Sequence, residues 1–533
     1  MMRDRFRTMA STVFLSLILI LLVNLPDHPD AVSAGSFARL PLEWPAAFLL
    51  LLIGPAVTRR LAVWLIVLLA VLILCLKLAD LGTQAAFQRP FNPALDQQMI
   101  GDGWNVASGA LGLPLALAAL LAALIVLALA IVLLVAAGRS LAAAPPRHRA
   151  RLAMLFLALA LFAGLVRGFG LPLVEVRMPS YLAGRLALMV ESSRDMRRFE
   201  AELARGIGPK TGRELFSAIR DKDVILIFVE SYGRSALTDP RYRDRMARRL
   251  GAVDEEIRRA GLSAASAWAT SPTVGGLSWL AHGTLLSGLW IDSQARYDRL
   301  VRSTQPSLNR LFAEAGWQSA AIMPAITLDW PESAYFGYRQ VLAAKDLGYR
   351  GKPFNWVTMP DQYTLSAFER LSRAPAHAAG RRVMAELALI SSHAPWTPVP
   401  SLVDWARIGD GTIFDNQAVQ GPAPAVLWAD PERVRAQYIA TIDYSLETLG
   451  SYLARFGKDA VFVILGDHQP ASIITGPGAS RAVPIHIVSQ DPALIASFEA
   501  EGFTAGLQPA ADGREWRMDV LRQLLIDRLS AGP

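Results

Sequence analysis

Apolar residues are spread unevenly along the chain, in long runs at first and in short ones later. Five apolar segments come first, at Met9–Leu25, Leu42–Val57, Leu61–Leu81, Leu113–Ala137 and Leu152–Leu171. Most approach the ~20 residues that a helix needs to cross ~30 Å of hydrocarbon. The pattern therefore predicts a five-helix transmembrane domain over residues 1–172. Leu42–Val57 is short, with Gly54 and Pro55 near its end, which suits a kinked or tilted span or a re-entrant segment. The first run is followed by Pro26-Asp27 rather than a small-residue cleavage site, so it reads as a retained anchor. Residues 173–222 turn polar and helix-forming and read as a membrane-proximal linker. From 223 to 533 the pattern is α/β. Strand-like apolar runs at Val224–Val229, Ala320–Met323, Leu387–Ile390, Ala460–Leu465 and Ile485–Val488 alternate with helical stretches such as Pro306–Ala315, Gln362–Ser372 and Arg433–Phe456. Continuous apolar strands suit a sheet covered by helices on both faces.

Composition sharpens this division. At 53% hydrophobic and 19% charged, with a mean hydropathy of +0.31, the 533-residue chain is too apolar for an ordinary soluble enzyme. Of the net charge of +7, six units lie in residues 1–172, where thirteen Lys and Arg face seven Asp and Glu. A nucleic-acid groove would need its basic excess on the soluble part, so nucleic acid is excluded as a partner. The basic residues track topology instead. Arg3, Arg5 and Arg7, then Arg59 and Arg60, then Arg139, Arg147, Arg149 and Arg151 fall on alternate flanks of the spans, and Arg39 and Arg89 on the others. Lys77 and Arg167, near outer ends, weaken the bias without reversing it. The positive-inside rule puts the N-terminus in the cytoplasm and, after five spans, the α/β domain outside an inner, cytoplasmic membrane. Cys75 is the single cysteine, so no disulfide or Cys-ligated metal site forms within one chain.

Four places in the α/β part offer chemistry. Val224–Val229 runs into Glu230-Ser231-Tyr232-Gly233, a carboxylate at the end of a buried strand, where open α/β sheets bind ligands. Gly275-Gly276-Leu277-Ser278 lets backbone approach a ligand and places Ser278 at a helix start, as a nucleophile or simply as an N-cap. His282 shares that helix face, one turn on, either to reach the same ligand or as a packed histidine. Gly466-Asp467-His468 follows Ala460–Leu465 and offers one carboxylate and one imidazole to a divalent metal, or caps a turn. His393 follows Leu387–Ile390 in Ser391-Ser392-His393.

Together, strand–Glu, Gly-rich turn–Ser, strand–His and strand–Asp-His behind five spans resemble the membrane branch of the alkaline phosphatase/sulfatase superfamily. That branch holds lipoteichoic acid synthases, the phosphoethanolamine transferases that act on lipid A, and phosphoglycerol transferases. The resemblance covers nearly the whole chain. It implies a sulfatase-like catalytic domain with Glu230, Ser278, Asp467 and His468 on one metal ion, Mn or Zn favoured by the imidazole and Mg possible. It also implies Ser278 as nucleophile, His393 at the substrate phosphate and Trp330 as a further substrate contact, while His282 is a substrate-binding candidate from its helix face alone. Ser278 stands where these transferases usually have Thr, and both are alcohols. Asp329-Trp330-Pro331-Glu332 puts Glu332 where the lipoteichoic acid synthases carry a substrate-gripping Arg. The sulfatase signature of Pro and Arg after the nucleophile is missing, since Trp279, Leu280, Ala281 and His282 follow Ser278.

The implied reaction moves a phospho-headgroup, phosphoglycerol or phosphoethanolamine, from a phospholipid donor through a phosphoserine to a glycan or lipid acceptor of the cell envelope. A metal-dependent phosphodiesterase or sulfatase-type hydrolase is the alternative within enzymes. A catalytically silent membrane binding or assembly protein is the alternative outside them. Thr273 is the competing hydroxyl. Its place next to Pro272, five residues before Ser278, argues for Ser278.

Overall fold

The computed structural model describes residues 2–530 except 97–98, 100, 102, 105–107, 109–111, 170–172, 207 and 209–213. It divides into two compact units, residues 1–85 with 89–195, and residues 86–88 with 196–533. The expected boundary at 172 lies outside the described residues, as does much of 207–213 in the expected linker. The division itself falls inside one helix, Met178–Arg205.

In the first unit the described helices are α1 (Met2–Asn24), α2 (Glu43–Leu52), α3 (Ala56–Phe87), α4 (Leu113–Ala142), α5 (Pro146–Gly168) and α6 (Met178–Arg205). Four are long and apolar enough to cross a membrane: α1 from Arg5 onward, α3, α4 and α5. The fifth expected span, Leu42–Val57, is only the ten-residue α2, about 15 Å at 1.5 Å per residue. Gly54 and Pro55 end it before it reaches bilayer length. Its start is tied to α6, where Glu43 Oε1 accepts the backbone N–H groups of Arg177 and Met178 at 2.7 and 2.8 Å. Its far end meets α3, where Arg59 donates to Gly54 O and, at 3.0 Å, to Ala142 O at the end of α4. Lys77 Nζ donates to Val23 O at 2.8 Å, so α3 satisfies a carbonyl that the end of α1 leaves without a helical partner.

The second unit is built on a nine-stranded sheet. Its strands are β1 (Asp223–Val229), β2 (Ser263–Thr270), β3 (Gln318–Met323), β4 (Gln340–Ala343), β5 (Val383–Leu389), β6 (Ala460–Gly466), β7 (Ala482–Ser489), β8 (Thr504–Ala505) and β9 (Glu515–Arg517). The order is β8-β2-β7-β6-β1-β5-β3-β4, with β9 also on β2. The β6-β1-β5-β3-β4 stretch is parallel, while β7 runs antiparallel to both β6 and β2. Along β1 the side chains alternate between two cores. Ile225, Ile227 and Val229 pack under α7 (Arg243–Arg259) and α9 (Pro431–Phe456), and Val224, Leu226 and Phe228 under α8 (Ser278–Ser287) and α10 (Met518–Ser530). Every residue of β1 and β6 is buried, which explains why both read as continuous apolar runs.

Register then positions the chemistry. Val229 of β1 lies opposite Leu389 of β5 and Gly466 of β6. Glu230, Ser391–His393 and Asp467-His468 therefore leave the sheet side by side at its carboxyl edge. Gly466 is needed there, because a Cβ on it would fall 1.9 Å from Tyr232 O.

Candidate active site

The Gly-rich segment enters α8 through a left-handed turn, with φ of 75° at Gly275, 150° at Gly276 and 62° at Leu277. A positive φ is costly for leucine, and such outliers gather at functional turns. Leu277, not Ser278, occupies the N-cap, and it makes no side-chain cap bond. The reading of Ser278 as an N-cap is thereby excluded. Its Oγ instead donates to Glu230 Oε2 at 3.1 Å and lies 3.2 Å from His468 Nε2. Thr273 Oγ1 donates to Gly276 O at 2.7 Å, so that hydroxyl fastens the turn.

Glu230, Asp467 and His468 converge behind the serine, each presenting one donor atom within 4.8 Å of the others. All three are buried. Asp467 Oδ1 accepts the backbone N–H groups of Ser231 and His468 at 2.8 and 2.6 Å, and Glu230 Oε1 accepts from Ser231 Oγ at 2.7 Å. His468 Nδ1 donates to Gln469 O at 2.9 Å, which leaves Nε2 facing the serine and the acids with its lone pair in the neutral ring. Burial pushes Asp467 up to about 6, and the charge of Glu230 pushes it the same way. Burial also opposes ionisation of Glu230, but His468 and His393 outweigh it and hold that carboxyl low, at about 2. His468 is raised, because Asp467 and Glu230 stabilise its cation more than burial disfavours it.

Among the described residues no Arg or Lys pairs with Glu230 or Asp467. Two buried carboxylates, an imidazole lone pair and a hydroxyl without a basic side chain form a donor set that fits one divalent cation.

The other sequence candidates are placed differently. His393 is exposed at the rim, beside Ser392, whose Oγ donates to Glu230 O at 2.6 Å. His282 stacks on Phe228 with ring centroids 3.8 Å apart and commits its Nδ1 to Glu386 Oε1 at 2.7 Å. Glu386 is buried in β5, and it also accepts from Tyr338. Trp330 packs against Phe336 and Tyr338 and shares no hydrogen bond with the serine group, so two residues separate it from His282 in this chain of contacts. Sequence reading overlooked Glu386, although an acid between Ala385 and Leu387 in an apolar strand is itself a signal of a buried partner.

No protein-family model and no curated protein sequence matches the chain. Solved structures do. The lipooligosaccharide phosphoethanolamine transferase A of Neisseria meningitidis, an integral membrane protein, is similar over 98% of this chain and 95% of its own, at 15% identity and a TM-score of 0.47. The lipoteichoic acid synthase LtaP of Listeria monocytogenes matches 52% of this chain and 69% of its own, at 14% identity and a TM-score of 0.37. The phosphoglycerol transferase GacH of Streptococcus pyogenes matches 56% and 74%, at 12% identity and a TM-score of 0.34. These neighbours bear the names of the membrane transferases that the motifs resemble. Likenesses this distant leave the chemistry to be read from the chain's own side chains.

Proposed function

We propose that the chain is a membrane-bound, metal-dependent transferase of the sulfatase-like kind, which moves a phosphoglycerol or phosphoethanolamine headgroup from a phospholipid to an envelope glycan or lipid. The observation that carries this reading is a serine hydroxyl, at the start of the helix that follows a strained turn, hydrogen-bonded to Glu230 and His468 of a buried Glu/Asp/His group. Glu230, Asp467, His468 and the Ser278 oxygen would hold the cation, with Mn or Zn favoured by the imidazole. Such an ion lowers the pKa of a bound hydroxyl and offsets charge on a phosphoryl group.

The residues do the rest. Ser278 Oγ, held by Glu230 and His468, releases its proton to water and attacks phosphorus. The new Oγ–P bond replaces the bond to the diacylglycerol oxygen, which takes a proton from His393. An acceptor alcohol then gives its proton to His393 and forms the new O–P bond as the Ser278 Oγ–P bond breaks, and the serine oxygen regains a proton from water. His282, held by Glu386, and Trp330 further out serve substrate positioning in this scheme.

The proposed topology keeps five crossings, with the N-terminus inside and the catalytic domain outside the inner membrane. Support comes from the basic residues, which fall on alternate flanks of the five apolar segments. Mass spectrometry of the purified protein incubated with phospholipid is the test. A headgroup mass on Ser278 is expected. Its absence together with free headgroup phosphate in solution would favour the hydrolase reading.

A further inference from the structure

Basic side chains in the membrane unit fall into two groups that differ in what balances them. In the cleft lined by Arg39, Arg177 and Lys77, both arginines pair with Glu175. The cleft between α3 and α4 is different. It encloses about 500 Å³, and Arg59, Arg60, Trp64 and Arg139 line it over a floor that includes Val63 and Ala142. The two helices touch beside it at Gly138, where a Cβ would lie 3.0 Å from Val63 Cγ1. The Arg139 guanidinium sits 5.4 Å from the centre of the Trp64 ring. Arg59 caps α4 through Ala142 O and also carries the like charges of Arg60 and Arg149 beside it. Arg149, in the first turn of α5, buries its Nε and Nη1 with no hydrogen-bond partner. Among the described residues no carboxylate pairs with any of these four arginines.

Converging guanidiniums repel one another, and a buried N–H without an acceptor is unfavourable, the more so when charged. An oxyanion with several acceptor oxygens relieves both, and guanidinium matches phosphate geometry in paired hydrogen bonds. The surroundings indicate where that anion comes from. Trp64 in the cleft, and Val57, Leu61, Leu65 and Val132 elsewhere on the same two helices, are exposed large apolar side chains on helices long enough to span a membrane. They suit acyl chains rather than water. Basic pockets between spans, closed by an aromatic, are sites where lipid headgroups bind.

From this we infer that the Arg59/Arg60/Arg139 cleft, with Arg149 beside Arg59 at its edge, is a binding site for the phosphate of an anionic phospholipid, separate from the Ser278 site. It rests on the reading of α3–α5 as membrane spans and not on the proposed catalysis. A bound lipid there ties the starts of α3 and α5 to the end of α4.

The test uses full-length Ser278→Ala protein, so that no lipid is captured covalently, stripped in neutral detergent and titrated under native mass spectrometry. The probes are short-chain phosphatidylglycerol, short-chain phosphatidylcholine and inorganic phosphate. One phosphatidylglycerol per chain, bound about tenfold more tightly than phosphatidylcholine, is expected, and about tenfold weaker in Arg139→Gln/Arg149→Gln. The Arg139→Lys/Arg149→Lys protein, which keeps the charges, should retain the preference and so separate site loss from misfolding. Equal binding of both lipids, an unchanged Gln double variant, or phosphate binding as tight as phosphatidylglycerol would each overturn the inference.

Discussion

One strand, β1, carries a buried carboxylate at each end, and the two ends have opposite chemistry. At its start, Asp223 accepts from Arg373 Nε and from the Val383 backbone N–H at 2.7 and 2.9 Å, with His377 Nε2 also at 2.7 Å. At its finish, Glu230 meets Asp467, His468 and Ser278, with no guanidinium or ammonium partner among the described residues. A buried acid matched by arginine is a closed electrostatic unit that clamps β1 to the chain around Arg373 and β5. A pair of buried acids matched only by an imidazole and a hydroxyl keeps a demand for positive charge. Burial alone therefore does not mark a functional acid; the identity of its partner does.

The comparison breaks most directly at the serine. Ser278→Ala should lower transfer by at least about 10³-fold and remove the covalent intermediate. Because Ser278 does not cap α8, the thermal midpoint should stay close to wild type. If the intermediate persists and disappears only in Thr273→Ala, the nucleophile is misassigned.

Removing each acid in turn sharpens the contrast. Asp223→Ala leaves the buried Arg373 with only Glu369 as an acid partner and strips the Val383 N–H of its acceptor, and should destabilise the catalytic unit by about 2–4 kcal/mol in denaturant unfolding, with metal stoichiometry unchanged in the folded fraction. Asp467→Asn should do the reverse. Metal content by elemental analysis falls well below one equivalent, while the metal-free protein unfolds no earlier than wild type, since one of two repelling carboxylates is gone. Equal loss of stability in both variants would show that the two ends of β1 do the same job.

Proton competition is a gentler probe of the same end. Asp467 and His468 both hold protons more tightly than such groups usually do, and a cation must displace those protons. Apparent metal affinity should therefore fall as pH drops through about 6 and level off once both groups are deprotonated. In Asp467→Asn that slope should flatten. A pH-independent affinity between 5 and 8 would place the metal elsewhere.

The smallest effect is expected one contact away. Glu386→Gln loosens the ring of His282 and should slow turnover about tenfold, a size common for residues that orient a site's side chains, with metal content unchanged. Loss of metal in this variant would make Glu386 part of the metal-binding group rather than a support.

Much of this could be read from the chain alone, for a local reason. A strand buried on both faces is a contiguous apolar run, and the residues just past its carboxyl end adjoin that run in the sequence. Val224–Glu230, Ala460–His468 and the Gly275–Ser278 turn were therefore legible as strand or turn plus chemistry. Strand β2 was not, because Ser263-Ala264-Ala265-Ser266 has neither the size nor the branching that marks a strand; its place between β7 and β8 comes from pairing. Nor could hydropathy show that Leu42–Val57 forms only a ten-residue helix, since apolarity measures a segment's solvent preference and not where its backbone bends. Only the tertiary structure decided which acid faces which partner. Asp223 meets Arg373 across 150 positions, His282 meets Glu386 across 104, and Ser278 meets Glu230 across 48. Those distances along the chain carry no local pattern, and only the packing of α8 and of the helical segment ending at Arg373 against the sheet brings the pairs together.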